Sequence, residues 1–493
     1  MKKYFHFLKK VNTKYFWHGF GIGFVYYVYI FSWFWSLYPL TALGISSKLA
    51  SFILIFFIFL LSVACMAFWW GLCAAFIARL LPRTSRIFTP FLIAALIVLT
   101  FYIQSLTFGI VWAGKGTLIG PHWTLGNPAY FFAAIPVIMR TTAIWGIYGL
   151  DFLLALLVAG GVLYLRNHTF KKSFLVSLIS VLVIFGLGIL CSRTEITPNP
   201  NLYVSIIQTE IPVKSSYGTS EIFSDLTIKS NLLKEAAKKS DVVIFPERAW
   251  FSQTLSQFLD LSAIQKYFKN LSPKSILVID NNRVRTDSGD VLKSEVSLID
   301  SQNGVVGSYD KKLLTPGGEY VPYIIKGLIG IYSRFQPLAF AQFVAGDLDN
   351  TVDYDGQKIK ILVCSDIISP SLSNSGTATY IVALNSMGLF GKNSSIANQY
   401  LRMAQFRAAE NKKYLVLASN DGFSYIINRD GKIEGKTDLL GYQILTGRIA
   451  PNATVTWYNK LGDCPILLLS LALIISGTFF SKCQKRSGSL FSY

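Results

Sequence analysis

Histidine is scarce in this sequence, which has four in 493 residues. They are His6, His18, His122 and His168. Because none of them follows residue 168, the long polar region after residue 192 cannot contain a Cys-His pair, a Ser-His pair or a histidine-based zinc site. Any catalytic base in that region is therefore a carboxylate, a lysine or a tyrosine. We expect no metal and no cofactor.

Cysteine is also sparse, with six residues. Only Cys364 lies well inside the polar region, while Cys191 and Cys464 lie at its edges. This distribution excludes a framework of disulfide bonds within the region. A lone cysteine that follows an apolar run is often a core residue. A chemical role for Cys364 therefore needs support from other parts of the chain.

Acidic residues are few, with 27 Asp and Glu against 46 Lys and Arg, and the formal net charge is +19. Such a charge suggests nucleic-acid binding, but the sequence has no zinc-finger spacing and no basic stripe interleaved with aromatic residues. Many basic residues instead flank apolar runs, which is typical of the cytoplasmic ends of membrane spans. These basic clusters are Met1–Lys14, Arg79–Arg86, Arg166–Lys172 and Lys482–Arg486. We expect no nucleic-acid partner.

Apolar residues make up 52% of the chain and are concentrated towards its two ends. Runs of about 18 or more such residues predict membrane-spanning helices. The runs lie near 16–38, 50–78, 88–111, 143–165, 173–191 and 464–480. We therefore predict three parts. These are a membrane bundle of about five helices in 1–192, an extracytoplasmic domain in 193–463, and a membrane helix with a short basic cytoplasmic tail in 464–493.

The predicted domain alternates short β-branched runs with polar helical stretches, which is typical of an α/β fold with too many strands for one small sheet. The predicted strands are 202–208, 241–245, 275–280, 295–300, 358–364, 380–385, 414–419 and 424–428. The predicted helices are 220–238, 255–269 and 394–411. A further apolar stretch, 323–344, is predicted to be either a lid at the membrane surface or a helix that covers the core.

Three separate stretches place chemically useful side chains just after predicted strands. The run Asp-Val-Val-Ile-Phe-Pro is a buried strand stopped by proline, and Glu247 follows it. In Tyr-Asp-Lys, Lys311 follows a strand and precedes a Gly-rich turn that carries Glu319. The run Lys-Ile-Lys-Ile-Leu-Val ends in Cys364. Taken singly, these residues are also explained as a surface glutamate, a solvated lysine and a core cysteine.

Taken together, the stretches resemble the nitrilase superfamily, whose catalytic Glu, Lys and Cys occur in the same order. The segments Phe-Pro-Glu and Pro-Gly-Gly-Glu-Tyr-Val-Pro are similar to those of its membrane branch, the apolipoprotein N-acyltransferases. Supporting segments are Val204–Pro212, Met403–Glu410 and Ser419–Gly422. The resemblance implies a multi-span membrane bundle joined to a nitrilase-like αββα sandwich domain.

The resemblance also implies roles for individual residues. Glu247, Lys311 and Cys364 are implied as the catalytic triad. A second set is implied in support of the triad, in stabilising the oxyanion or in contacting substrate. That set is Glu319, Ser365, Asp366, Tyr217 and Asn385.

The chain departs from the family pattern near the triad. It has Cys-Ser-Asp where the family usually has Cys-Tyr-Glu or Cys-Trp-Glu, and Asn385 is followed by serine instead of aspartate. It also lacks two N-terminal spans that such enzymes usually have. These changes leave the triad intact and bear on substrate preference.

The resemblance implies a monomeric enzyme of the bacterial inner membrane. Its implied reaction moves a fatty acyl group from a membrane phospholipid to Cys364 as a thioester. The acyl group then passes to the α-amine of the lipid-modified N-terminal cysteine of an apolipoprotein. Two alternatives stay open, namely a membrane-anchored amidase that uses the same triad with water as acceptor, and a catalytically inactive membrane scaffold.

Overall fold

The structure is a computed structural model that describes residues 13–81, 84–120, 122–192, 201–214, 217–286, 291–333, 342–347, 349–439 and 441–488. The N-terminal region folds into long helices. These are α1 (Thr13–Ile30), α2 (Lys48–Leu80), α3 (Thr89–Val111), α4 (Pro136–Arg166) and α5 (Lys171–Ser192). The predicted domain boundary at 193, most of the first basic cluster and the end of the C-terminal tail lie outside the described residues.

The globular region contains shorter helices and is followed by one long helix. These helices are α6 (Thr219–Ala237), α7 (Phe251–Leu255), α8 (Leu261–Lys269), α9 (Tyr323–Ser333), α10 (Ser394–Asn411), α11 (Trp457–Leu461) and α12 (Cys464–Gly488). Helix α9 occupies the start of the stretch predicted as a lid or a covering helix. Residues 334–341 of that stretch are outside the part of the chain that the structure describes.

Four helices of the described chain are long and apolar enough to cross a membrane. They are α2, α3, α4 and the stretch His168–Leu190, which includes most of α5. The apolar part of α12 is shorter, at Cys464–Gly477. The first span was predicted over residues 16–38. In the structure, helix α1 ends at Ile30 and a 3-10 turn follows at Ser32–Leu37. A proline at position 39 disfavours helical geometry in the residue before it, which limits any helix here.

Two six-stranded sheets form the globular region. The strands of the first sheet are β1 (Leu202–Gln208), β2 (Val242–Ile244), β3 (Leu277–Arg285), β4 (Leu292–Asp300), β5 (Gly304–Asp310) and β12 (Gln443–Ile449). Its order is β12-β1-β2-β3-β4-β5. The strands of the second sheet are β6 (Thr351–Tyr354), β7 (Gln357–Val363), β8 (Tyr380–Ser386), β9 (Leu415–Asn420), β10 (Tyr425–Ile427) and β11 (Ile433–Lys436). Its order is β11-β10-β9-β8-β7-β6.

The two sheets pack face to face. Alternate residues of each strand point to opposite sides of their sheet, so one set lies between the sheets and the other faces a helical layer. In β7, Ile359, Ile361 and Val363 lie in the core between the sheets, whereas Leu362 packs with α10 and the membrane helices. Helices α6 and α8 cover the outer side of the first sheet. The predicted αββα sandwich is therefore confirmed, with α10 as the outer layer next to the bundle.

All eight strands predicted from the sequence are present, with ends shifted by a few residues. The predicted set does not include β6, β11 and β12, and it gives no bounds for β5, which was expected only as a strand before Lys311; each of these strands lies at the edge of a sheet. Edge strands are partly exposed, as the burial of β6 and β11 shows. They therefore lack the continuous apolar run that marks a buried central strand.

Helix α10 joins the globular region to the bundle. The guanidinium of Arg407 pairs with Glu410 at 2.9 Å, and both side chains are fully buried. Arg407 also donates to the Tyr130 hydroxyl at 2.8 Å, and Gln399 donates to the Ile30 carbonyl at 2.9 Å. A buried ion pair needs such fixed partners, because an unpaired charge is costly in the interior. The globular region is thus held on the bundle in a defined orientation.

A glycine in α4 makes a second close contact at this junction. Gly146 has a φ of 61°, and a Cβ added there would lie 2.1 Å from Cε2 of Tyr458 in α11. We expect Gly146→Ala to lower the free energy of unfolding by at least about 2 kcal/mol, measured as a lower midpoint of thermal unfolding in detergent. Gly161→Ala in the same helix is the control, because its nearest neighbour would be 3.9 Å away. An unchanged midpoint for Gly146→Ala would contradict this reading of the junction.

Candidate active site

Cys364 lies at the carboxyl end of β7, where the chain enters a 3-10 turn spanning Cys364–Ile368. Its φ of 48° falls in the left-handed region, which costs a residue with a side chain about 1–2 kcal/mol. The carbonyl of Cys364 accepts a hydrogen bond of 3.0 Å from the Tyr400 hydroxyl. Strained residues held in place by their surroundings cluster at functional sites. The side chain of Cys364 is partly exposed to the cavities described below.

Glu247, Lys311 and Glu319 form a compact ionic cluster beside this cysteine. The Lys311 Nζ lies 3.0 Å from Glu247 Oε1 and 3.0 Å from Glu319 Oε1. The second oxygen of Glu319 accepts the backbone N–H of Thr315 at 2.7 Å, which folds the Gly-rich turn back onto the lysine. Glu247 follows β2 and Lys311 follows β5. The structure therefore brings these residues together from strand ends of the first sheet, as the sequence predicts.

Charge interactions set the protonation of the cluster. Burial alone would lower the pKa of Lys311, but charge interactions with Cys364 in its thiolate form and with Glu247 and Glu319 raise it well above its usual range. The pKa of the Cys364 thiol is raised to about 12, and burial is the largest cause. The charge of Glu247 contributes to this rise, and the charge of Lys311 opposes both effects. The resting site thus holds an ammonium ion and a protonated thiol that is hydrogen-bonded to Glu247.

Asp366, at the position where the resemblance implies a glutamate, is fully buried and accepts three hydrogen bonds. It accepts hydrogen bonds from the Tyr309 hydroxyl at 2.7 Å, from the Leu313 N–H at 2.7 Å and from the Val363 N–H at 3.0 Å. The Ser365 hydroxyl donates to the Leu313 carbonyl. These contacts join the turn after β7 to the loop after β5. Asp366 and the Ser365 side chain therefore fix the relative positions of cysteine and lysine.

The two remaining predicted residues lie farther from the cluster. Asn385 is buried at the end of β8 and accepts from the Ser419 hydroxyl at 2.6 Å. It also bonds to the Tyr400 hydroxyl, so it contacts the cysteine backbone only through that tyrosine. Tyr217 donates to the Pro212 carbonyl. The residues that line the two cavities include neither Asn385 nor Tyr217.

Two cavities meet at Cys364. The first, the apolar cavity, has a volume of about 280 Å³ and runs between the globular region and the bundle. Bundle residues that line it include Trp33, Phe34, Ile55, Ile58, Phe108 and Trp112. The second, the charged cavity, has a volume of about 80 Å³. Its charged and aromatic lining includes Glu247, Arg248, Trp250, Arg283, Lys311 and Glu319. The residues shared by both cavities are Thr315, Gly318, Cys364, Ser386, Leu389 and Phe390.

Several residues of the site were not predicted from the sequence. Arg248 and Trp250 lie within the three residues after Glu247, so their proximity to that residue could have been predicted from the sequence. Arg283 comes from β3 and Tyr400 from α10, and no local pattern links either residue to the cysteine. Only the packing of separate elements brings them to the cavities.

The charges around Cys364 predict opposite effects for two variants. Removing the negative charge of Glu319 with Glu319→Gln lowers the thiol pKa, because the thiolate loses a repulsive neighbour. Removing the positive charge with Lys311→Met raises it. At pH 8, below the pKa of about 12, we therefore expect faster alkylation of Cys364 by iodoacetamide in the first variant and slower alkylation in the second.

The alkylation is measured by mass spectrometry of the peptide that contains Cys364. The exposed Cys464 serves as the internal reference, and a thermal unfolding curve shows that each variant is folded. Rates that change in the same direction in both variants would contradict the electrostatic account.

The chain is similar to several known proteins. The carbon-nitrogen hydrolase family profile matches residues 206–459, about half of the chain. The apolipoprotein N-acyltransferase of Rickettsia prowazekii is 26% identical over 440 residues, which cover 84% of this chain and 84% of that protein. The corresponding protein of Geobacter metallireducens is 29% identical over 388 residues, covering 73% of this chain and 70% of that protein.

Among solved structures, the crystal structure of an amidase from Nesterenkonia sp. is 17% identical, with a TM-score of 0.37. The match covers 52% of this chain and 94% of the amidase chain. The resemblance to apolipoprotein N-acyltransferases is confirmed by the sequence relatives. The family profile includes Glu247, Lys311, Glu319 and Cys364, and the chain belongs to the carbon-nitrogen hydrolase family.

Proposed function

We propose that the protein acylates the N-terminal amine of lipid-modified apolipoproteins, with a membrane phospholipid as acyl donor and a Cys364 thioester as intermediate. One observation carries the proposal. Cys364 lies where the apolar cavity meets the buried Glu247–Lys311 pair. The names of the curated relatives, which are apolipoprotein N-acyltransferases, support the same reaction.

The apolar cavity suits a fatty acyl chain. Its lining combines aromatic and aliphatic side chains of the bundle with those of the globular region. A chain that enters from the bilayer exchanges one apolar environment for another, so its carbonyl carbon can reach Cys364 without exposing the hydrocarbon to water. A small, soluble amide would gain nothing from such a cavity. This feature favours a lipid donor over a soluble substrate.

The acylation step follows from the positions of the three side chains. Glu247 accepts the proton of Cys364 as Sγ attacks the ester carbonyl carbon of the donor. The carbonyl oxygen becomes an oxyanion beside the Lys311 ammonium and the N–H of Ser365, which is in the first turn of a 3-10 segment. One such donor is worth about 3 kcal/mol. The tetrahedral species then breaks its ester C–O bond, and protonated Glu247 gives its proton to the departing lysophospholipid oxygen.

The transfer step runs through the same groups. The neutral α-amine of the apolipoprotein attacks the thioester carbonyl, and Glu247 accepts a proton from the amine nitrogen. The C–S bond breaks as the amide forms, and the proton on Glu247 returns to the Cys364 sulfur. Cysteine, glutamate and lysine are thereby restored to their resting states. This is ping-pong covalent catalysis.

We propose that the protein is a monomer in the bacterial inner membrane. Residues 1–192 and 464–493 form its membrane parts, and residues 193–463 form a catalytic domain on the extracytoplasmic side. Four apolar helices of sufficient length support the membrane placement, and the basic clusters beside the apolar runs support the orientation. A site beside the bundle gives both lipid-linked substrates access from the bilayer.

The first test is the mass of the intact protein after incubation with phospholipid and no amine acceptor. We expect an added fatty acyl mass that hydroxylamine removes, because hydroxylamine cleaves thioesters. Cys364→Ala keeps the other five of the six cysteines and is expected to give no adduct. Glu247→Gln removes the base and is expected to slow adduct formation by a factor of about 10²–10⁴.

The other outcomes separate the alternatives. Release of free fatty acid or of ammonia from amide substrates, with no adduct, would indicate a membrane-anchored amidase. No adduct and no turnover of any substrate would indicate a catalytically inactive scaffold. An adduct that persists in Cys364→Ala would show that another residue is the nucleophile.

A further inference from the structure

The charged cavity contains two arginines that the proposed reaction does not use. The guanidinium of Arg248 lies 5.2 Å from the ring centre of Trp250, and that of Arg283 lies 4.2 Å from the same ring. Both side chains line the cavity together with Cys364 and Lys311. The two positive charges are therefore close to each other and to the nucleophile.

Among the residues that the structure describes, neither guanidinium forms an ion pair. In the described part of the chain, no carboxylate lies within ion-pair distance of Arg248 or Arg283, and the nearby Glu247 and Glu319 are both engaged by Lys311. The Arg248 Nε is buried without a hydrogen-bond partner. Burial and the charge of Arg248 lower the pKa of Arg283 to about 10. Two adjacent, unpaired cations are unfavourable in the free protein and become favourable once an anion binds between them.

The backbone positions this pair through a strained turn. Arg248 has a φ of 70° and Trp250 a φ of 47°. Asn281 in β3 holds the turn, because its side-chain oxygen accepts the Arg248 N–H at 3.0 Å and its carbonyl accepts the Trp250 N–H at 3.1 Å. The same asparagine donates to the Ser294 hydroxyl at 3.0 Å. The turn is thus anchored to the rigid first sheet, and the guanidinium of Arg248 is directed to the cavity.

The charge balance of the cavity selects the ligand. Its charged lining residues are the cations Arg248, Arg283 and Lys311 and the carboxylates Glu247 and Glu319. The formal balance is one positive charge, which one phosphodiester neutralises. Guanidinium groups bind phosphate oxygens in pairs of hydrogen bonds. An amine acceptor, in contrast, would be repelled in its protonated form.

We propose that Arg248 and Arg283 bind the phosphodiester of the phospholipid donor, while its acyl chain lies in the apolar cavity. The proposal rests on the function proposed above and names the part of the substrate that this cavity holds. The two cavities share Cys364. In a phospholipid, the ester carbonyl likewise lies between the hydrocarbon chain and the phosphate. Binding of the acyl chain in the apolar cavity and of the phosphate by the two arginines would place the ester carbonyl of the phospholipid beside the sulfur of Cys364.

The test compares two acyl donors with the full-length protein in detergent micelles. Phosphatidylglycerol carries its only charge on the phosphodiester, and diacylglycerol with the same acyl chains lacks the phosphate. The rate constant for formation of the acyl adduct on Cys364 is measured for each donor by intact mass. We expect the ratio of the two constants to fall about tenfold in Arg248→Gln and in Arg283→Gln, and about 100-fold in the double variant.

Arg448→Gln is the matched control. Its guanidinium also packs on an aromatic ring, that of Tyr203 at 4.3 Å, but it does not line the cavity. We expect its donor ratio to equal that of the unchanged protein. An unchanged ratio in the folded double variant would overturn the proposal. An equal loss with both donors would also overturn it, because that result indicates a structural role.

Inorganic phosphate distinguishes a lipid headgroup from a free anion. Added at constant ionic strength, it is expected to slow acylation by phosphatidylglycerol in the unchanged protein and to have no such effect in the double variant. Phosphate binding that the double variant abolishes, together with an unchanged donor ratio, would assign the pair to free phosphate and overturn the lipid assignment. If the unchanged protein forms no adduct with either donor, the proposed function itself fails, and this proposal fails with it.

Discussion

The contact on which the site depends is the buried ammonium of Lys311 between the carboxylates of Glu247 and Glu319. The Lys311 side chain is 1% exposed, and leaving such a charge unpaired in the interior costs several kcal/mol. Two carboxylates at 3.0 Å offset that cost. The end of β2, the end of β5 and the Gly-rich turn must therefore converge for the lysine to remain charged. The same convergence places Glu247 next to the sulfur of Cys364.

Asp366 couples this ionic cluster to the second sheet. Its three hydrogen bonds reach Tyr309 and Leu313 on one side and Val363 on the other, so the loop after β5 cannot move without the turn after β7. The carboxylate of Asp366 accepts from all three donors, so the Cys-Ser-Asp departure leaves the support of Cys364 intact. The small side chain of Ser365, which lines the apolar cavity, is the part of the departure that bears on the shape of that cavity.

The sequence predicted the parts of the fold that are buried on both sides. All four central strands of each sheet were predicted with bounds, because each is an apolar run with clear ends. The four edge strands were not, because their partly exposed positions interrupt the apolar run. Glu247 and Cys364 were predictable for the same reason, because each follows a buried central strand, whereas Lys311 follows the edge strand β5 and was found from the segment around it. The position of Arg283 in the site was not predictable, because Arg283 comes near Cys364 only when β3 packs beside the turn that carries Trp250.

A thiol pKa of about 12 has a consequence for the proposed reaction. At pH 7 only about one molecule in 10⁵ holds a thiolate, so the resting site is not a preformed ion pair. In the proposed reaction the thiolate would form only as Glu247 accepts the proton while sulfur bonds to carbon, which requires an ester already at Cys364. An acyl chain in the apolar cavity and a phosphate on the arginines would supply that placement. The burial that raises the pKa also limits the access of water to the thioester, which favours transfer to an amine over hydrolysis.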